Sequence, residues 1–439
     1  MRGGGRPAPC SRGRAERLCE GGRLRAEGRA VPPTHVLITG ASIAGPSLAF
    51  WLHRAGIRAT IVERAPAFRS GGQNIDVRGV AREVLRRAGL EDAVAAATTG
   101  ERGTRFVSAD DSSLAEFPVT GSETDGPTAG MEVLRGDLAR ILLDAVQADV
   151  EIVHGDRVAA MHEDADGVAV EFEHGAPRRF DLVVAADGLR SSTRALAFDD
   201  VRIRSLGLEM SYLTVPRTAA DDDWWRWYPA AGGGSANLRP DRHGTMRALL
   251  TETTDDRGEH PAAERRGAST RSAAEQRAHL RRRFAGAGWE SERILAALDD
   301  AGDLYFESIG QVKAPRWSSG RIALTGDAAW CASPVSGMGT SLGLVGAYVL
   351  AGELASSDDH RAAFAAYERR MRPYVERGQD LPPGTPQLAN PRSRPGLALL
   401  RTVLRAAGTP PVRAAIGRLF APPADEFALP DYPRLQRVA

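Results

Sequence analysis

Lysine is nearly missing from this chain: among its 57 lysine and arginine residues, only Lys313 is a lysine. The absence excludes short-chain dehydrogenase chemistry, in which a lysine four positions after a tyrosine lowers the phenol pKa for proton transfer. Four positions before Lys313 stands Ile309. Cysteine is scarce as well. Of the 3 cysteines, Cys10 and Cys19 fall at the extreme N-terminus, which excludes a disulfide framework or a zinc site and predicts a cytoplasmic setting. No apolar run approaches the roughly 18 residues that a membrane-spanning helix needs, and no apolar stretch near the start marks a signal peptide. Net charge is only +1, so no nucleic-acid affinity is expected from the many arginines.

What is present is a chain of 439 residues, long enough for two or three domains and a sizeable core. Residues 1–30 are rich in arginine and glycine, with Leu18 and Leu24 as the large aliphatic residues, so they cannot form a core. Residues 1–33 are therefore expected to be a disordered tail or a mis-called start, with translation beginning at Val31.

The first informative stretch is "ITGASIAGPSLA", Ile38 to Ala49. "HVLIT" before it reads as a buried parallel strand. Ile43, Leu48, Ala49, Leu52 and Ala55 then recur at helical spacing, and Gly56 stops the pattern. Pro46 is tolerable in a first helical turn, where its missing N–H had no partner to lose. "RATIVER" supplies a second strand. Within this strand–turn–helix–strand unit, Gly40, Ser42 and Gly45 make a dinucleotide fingerprint whose middle glycine is a serine. The helix start offers free N–H groups and a positive dipole end to a pyrophosphate. Glu63, about 20 positions after Gly40, has the spacing of the acid that binds a ribose lacking a 2′-phosphate, as in FAD or NAD.

Two later stretches repeat the theme of a strand running into an acidic turn. "FDLVVAADGLRSSTR" leads to Asp187-Gly188, and "GRIALTGDAAWCASPVSGMGT" leads to Gly326-Asp327 and a second glycine-rich helix start at Gly337 to Thr340. Such turns place carboxylates and N–H groups at the carboxyl edge of a sheet, where α/β proteins bind ligands.

The three motifs, in this order, resemble those of the FAD-dependent aromatic hydroxylases, the group of para-hydroxybenzoate hydroxylase and the tetracycline-inactivating monooxygenases. The resemblance spans Thr34 to Tyr367. "RSGGQNIDVRG", "LRGDLARILL" and "GDAA" followed by "PVSGMG" bring it closest to the tetracycline-inactivating branch. It implies that Glu63 binds the adenosine ribose and that Asp76, Arg135 and Asp327 hold the ribityl–pyrophosphate part of FAD. It further implies that Asp187 lies near flavin and NAD(P)H, that Gly337, Met338, Gly339 and Thr340 face the flavin pyrimidine edge, and that Arg69 meets the NADPH phosphates. The chain departs from the family at Trp330, where relatives have histidine, and at Ser333-Pro334 and Ser341. Trp330 and Pro334 are thereby candidate substrate contacts.

"TRFVSADDSSLAEF" reads as a hairpin with a polar turn, and Val201 to about Leu250 is strand-rich. In "DWWRWYPAAGGG" the Trp-x-Trp pattern is similar to that of flavin halogenases, but the spacing to Pro229 is short and no lysine stands early in the chain. Trp224, Trp225, Trp227 and Tyr228 are instead read as an aromatic cavity wall, with Arg226 a candidate substrate contact.

The expected fold is α/β: a Rossmann-like FAD/NAD(P)-binding domain with an inserted substrate-binding β-sheet and a C-terminal helical region. The expected division is 34–100, 129–200 and 303–375 for the FAD part, 101–128 and 201–302 for the sheet, and 376–439 for C-terminal helices and a docked tail. The resemblance implies hydroxylation of an aromatic or polyketide-like small molecule with NADPH or NADH and O2, through a flavin C4a-hydroperoxide, in a monomer or homodimer. The chemistry is then the flavin's, so no catalytic side chain and no metal is named. The alternatives are another flavin oxidoreductase or halogenase, or a flavin-binding protein without turnover.

Overall fold

A six-stranded sheet forms the base of the molecule, in the order Ser318–Ser319, Ile322–Leu324, Leu182–Ala185, His35–Thr39, Arg58–Glu63, Glu151–His154. Its strands are parallel except for the short Ser318–Ser319 edge. The central strands read as continuous apolar runs because both faces are covered. Val36, Leu37, Ile38, Val183, Val184 and Leu324 are all 0% exposed, and such burial contributes about 1.5–3 kcal/mol per large aliphatic side chain. Helices Ala44–Arg54 and Gly339–Ser356 pack against each other in this core. Pro46 sits in the first turn of the former, and Gly56 ends it in the left-handed region at φ +76°.

This computed structural model describes residues 1, 34–68, 71–119, 128–262, 271–382, 384–409, 412 and 423–436. The expectations for the N-terminal tail and for Arg69 lie outside the described residues. Thr34–Ala439 forms one compact unit.

A seven-stranded sheet lies beside the base, in the order Tyr305–Lys313, Arg202–Pro216, Thr245–Pro261, Gly234–Pro240, Trp225–Ala230, Gly103–Val107, Ser113–Pro118. The last two strands are the hairpin read at Thr104 to Phe117. Helices Ala273–Phe284 and Ser291–Ala296 cover one face, burying Leu213, Tyr228, Leu238, Leu250 and Phe306 with Leu280, Phe284 and Ile294. Two boundaries differ from those expected. Tyr305–Lys313 belongs to this sheet, since it pairs with the 202–216 strand from Arg202↔Lys313 to Tyr212↔Tyr305. The helix at His360–Gln379 runs through 375/376, tolerating Pro373. Beyond it, Arg394–Ala407 packs on the sheet through Leu404 against Leu114 and Ala115. Residues 423–436 then return to the base, where Tyr432 donates to Glu353 (2.7 Å) and Ala424 is fully buried.

Candidate active site

At the carboxyl edge of the parallel sheet three turns meet. Gly40 has φ +98°, and a Cβ there would lie 2.6 Å from the Ala186 oxygen and 2.9 Å from Asp187 Cα. A Cβ at Gly45 would run into the Gly40 carbonyl, so both flanking glycines of the fingerprint are required by close backbone approach. Ser42 between them accepts a hydrogen bond from Arg135 Nη2 (2.9 Å). Arg135 opens the helix Arg135–Asp144, and its backbone N–H donates to Gln73 (3.0 Å). Glu63 accepts from the backbone N–H groups of Ala41 and Ala65, both at 2.9 Å.

Asp327 opens the short helix Asp327–Trp330, and the preceding Gly326 abuts Ala44 at the start of the first helix. Asp327 faces the open space of the cradle, within reach of the Arg135 charge. A Cβ at Gly339 would lie 3.9 Å from Asp327 Oδ1, which puts this carboxyl at the start of the Gly339–Ser356 helix. Arg194 fastens the two acidic turns together, donating to the carbonyls of Ala328 (2.9 Å) and Leu189 (2.8 Å). Asp187 itself is turned inward, accepting from Ser191 and from Thr193 N (3.2 Å). Asp76 pairs with Arg78 (2.9 Å), whose N–H donates to Ser341 (3.1 Å) on the same glycine-rich helix. The structure thus brings Gly40, Ser42, Gly45, Glu63, Asp76, Arg135, Asp187, Asp327 and the Gly337–Thr340 turn to one edge. Met338 is fully buried there, while Pro334 is exposed in a single 3-10 turn. Gly188 (φ +89°) and Gly337 (φ +65°) have no atom within 4 Å of where a Cβ would be, so both face open space.

The face of the seven-stranded sheet opposite the Ala273–Phe284 and Ser291–Ala296 helices looks toward this edge, with the Arg394–Ala407 helix packed over its Phe106 end. Alternation along Trp225–Ala230 puts Trp225 and Trp227 on it, stacked at 5.1 Å, with Phe106 stacked on Trp227 at 5.2 Å. Tyr212 and Tyr305 stack at 6.4 Å on the same face. Tyr212, Arg247 and Tyr305 share a small cavity with Gly72 and Gln73, the latter being the residue whose carbonyl accepts from the Arg135 N–H.

The model of the FAD binding domain family matches residues 33–380. An uncharacterized protein of Mycobacterium tuberculosis (strain ATCC 25618 / H37Rv) is 39% identical over 366 residues, 80% of this chain and 94% of its own. A flavin-dependent monooxygenase from an unknown prokaryotic organism is 38% identical over 354 residues, 78% of this chain and 87% of its own. The solved structure of the tetracycline destructase Tet(55) superposes with a TM-score of 0.74 at 33% identity, over 91% of this chain and 99% of that one.

The chain belongs to the FAD binding domain family and is an FAD-dependent monooxygenase.

Two expected substrate contacts of the monooxygenase are placed elsewhere by the structure. Trp330 is 2% exposed and packs in the core against Trp317 (centroids 4.4 Å apart) and Tyr367 (5.8 Å). The glycine-rich helix supplies the slot for its ring, which turns it away from any cavity. Arg226 is also 2% exposed and stands on the helix-covered face, bonded to Asp221 and to Asp111 (3.1 Å). Trp224 and Tyr228 are likewise removed from the aromatic wall: Trp224 is buried under Arg105, and Tyr228 donates to Ala287 (3.0 Å) on the covered side. The alternation that exposes Trp225 and Trp227 hides their neighbours.

Two groups missed by sequence reasoning stand between the cradle and the aromatic face. Glu307 is half-buried beside Tyr305, opposite Met210. Burial pushes its carboxyl up, as does the Asp327 charge, while Arg190, a hydrogen bond from the Tyr305 hydroxyl and Arg135 pull it down. Arg190, in the Asp187 turn, has Nη2 buried without a hydrogen-bond partner. The signal was the alternation in "YFESIGQ", where a carboxylate shares a face with Tyr305. On the covered side, Glu209, Glu252 and His279 place ligating atoms within 4.8 Å of one another. Arg271 (3.1 Å) and Arg283 (3.2 Å) already neutralise these carboxylates, so the cluster is an ion-pair network.

Proposed function

We propose that the protein hydroxylates an aromatic or polyketide-like small molecule, using NAD(P)H and O2. Supporting this reading above all is the aromatic face of Trp227, Trp225, Tyr212 and Tyr305, turned toward the cradle and outside the apolar clusters of the fold. The likeness to a tetracycline destructase supports a polycyclic substrate.

The residues of the cradle fit FAD. The N–H groups behind Gly40 and the hydroxyl of Ser42 receive the pyrophosphate, and Arg135, already on Ser42, adds charge-assisted bonds to it. Glu63, held in place by two backbone donors, keeps free lone pairs for the ribose hydroxyls. Asp327 and Asp76 take the ribityl side, and Asp187 fixes the turn whose Gly188 leaves room for ligand. The Gly337–Thr340 turn presents N–H groups and a helix dipole to the electron-rich ring edge. Arg69 contacts the phosphates of the nicotinamide donor. FAD held there would supply the redox chemistry, taking two electrons from NAD(P)H and activating O2. The sheet's part is to hold the target carbon near that oxygen, since a displacement of about 1 Å can cost on the order of 100-fold. The scarcity of cysteine, with Cys331 a buried free thiol, supports a cytoplasmic setting.

The test is to purify the protein with FAD and screen aromatic polyketides and simpler phenols for accelerated NAD(P)H oxidation and products one oxygen heavier. Flavin retention without any stimulated turnover would refute the reading.

A further inference from the structure

We propose that Glu307 is the proton acceptor for a substrate hydroxyl, which makes the substrate a phenol or an enol and adds one catalytic side chain to the flavin's chemistry. The inference rests on the hydroxylase reading above.

Three observations on placement converge. Glu307 and Tyr305 share the face of the sheet that carries Tyr212, Trp225 and Trp227, while Phe306 and Ser308 between and beside them point to the covered side. The charges that act on Glu307 come from the cradle itself: Arg190 of the Asp187 turn, Asp327, and Arg135. Among the described residues Glu307 forms no ion pair, although arginine is abundant and most half-buried carboxylates here have one. Its side-chain hydrogen bond is to the Tyr305 hydroxyl on the same face, so no fixed cation neutralises the carboxylate, and carboxyls so placed concentrate where a proton is exchanged. Arg190 adds a second pointer. Its Nη2, buried and unbonded, is available to an anionic oxygen formed beside Glu307.

The step balances simply. The substrate O–H bond breaks with its electron pair left on oxygen, and an O–H bond forms on Glu307. The oxyanion, received by Arg190, raises electron density at its ortho and para carbons, the positions that would take up the oxygen supplied by bound FAD as the O–O bond breaks and its other oxygen leaves with the electron pair. Loss of the ring proton to water restores aromaticity, and Glu307 returns its proton to the original oxygen. Glu307 must be ionised to act. Its raised pKa therefore predicts a rate that climbs with pH on the acid side and levels once the carboxyl is deprotonated.

The probe is whichever phenol, in a panel of mono-, di- and polycyclic phenols, yields most oxygenated product with the FAD-loaded wild-type protein, compared with its O-methyl ether. Glu307→Gln is expected to lower kcat at pH 7 by roughly 100-fold or more, the usual scale of general-base catalysis, with KM and FAD content little changed. The variant's acid limb should vanish, and its rate should keep rising toward the phenol's own pKa near about 10. Glu307→Asp should recover much of the rate and the acid limb, and it decides the matter if the glutamine variant loses flavin. A wild-type pH profile and kcat in Glu307→Gln would overturn the role of Glu307 while leaving the hydroxylase reading intact. Wild-type protein that oxygenates the methyl ether as well as the phenol would also overturn it. Failure of every phenol with wild-type protein would overturn both together.

Discussion

The ring of Trp330 occupies the space that a side chain at Gly346 would fill: a Cβ on that glycine would lie 2.7 Å from Trp330 Cζ2. Helix propensity alone favours Gly346→Ala by about 1 kcal/mol. The ring, held by Trp317 and Tyr367, cannot retreat, and overpacking costs about 1–3 kcal/mol. Gly346→Ala is therefore expected to lower the unfolding midpoint. Trp330→Ala, which empties the slot, should cost about 3–5 kcal/mol. In the surviving folded protein, product formed per NAD(P)H should stay at the wild-type ratio. Uncoupling with unchanged stability would return Trp330 to the cavity.

Gly45→Ala should abolish FAD retention, because its Cβ would meet the Gly40 carbonyl and distort the turn that faces the pyrophosphate. Ser42→Ala keeps the turn and loses only the bond from Arg135, about 1.5–3 kcal/mol for a charged donor. The flavin-to-protein absorbance ratio after gel filtration ranks the two. Full occupancy in Gly45→Ala would remove this turn from the FAD site.

Much of this cradle was legible because its rules are local. A run of branched residues, a glycine turn and 3.6-residue periodicity fixed His35–Thr39, Ala44–Arg54 and Arg58–Glu63 almost to the residue. The positions that escaped depend on partners distant in sequence. Nothing around Trp330 announces that Gly346 and Trp317 form its slot. Nothing near Tyr305 says that the strand joins an edge begun at Arg202 rather than the base. Glu307 stands in no motif, and only its alternation with Phe306 and Ser308 marks it.

Glu101 and Glu132 share one guanidinium, with Arg239 donating to Glu101 at 2.8 and 3.1 Å and to Glu132 at 3.2 Å. Burial first, then the Glu101 charge, pushes Glu132 up to about 8. A carboxyl whose folded pKa lies above its unfolded value stabilises the fold fully below the unfolded pKa, and that stability is lost as pH rises through the folded pKa. Wild-type stability should therefore fall between about pH 4.5 and about pH 8. Glu132→Gln should flatten this slope and be the more stable protein at the alkaline end. Parallel thermal-midpoint curves across that range would contradict the assignment.

Arg226 serves the sheet rather than the substrate. Removing Arg226 strips Asp221 of one of its two guanidinium partners, Arg293 remaining, at about 1.5–3 kcal/mol for the lost charged hydrogen bond. Arg226→Ala should accordingly lower the unfolding midpoint in denaturant while leaving KM for the organic substrate near the wild-type value. A raised KM at unchanged stability would restore Arg226 as a substrate contact.

Together the aromatic face and the FAD cradle are expected to insert one atom of O2 into an aromatic ring. The direct measurement is turnover of the phenol chosen above under ¹⁸O₂, with product mass and NAD(P)H consumption followed together. One ¹⁸O per product is expected, with a stoichiometry approaching one NAD(P)H per product. Product carrying oxygen from water, or NAD(P)H oxidation that yields only hydrogen peroxide with every aromatic tried, would contradict it.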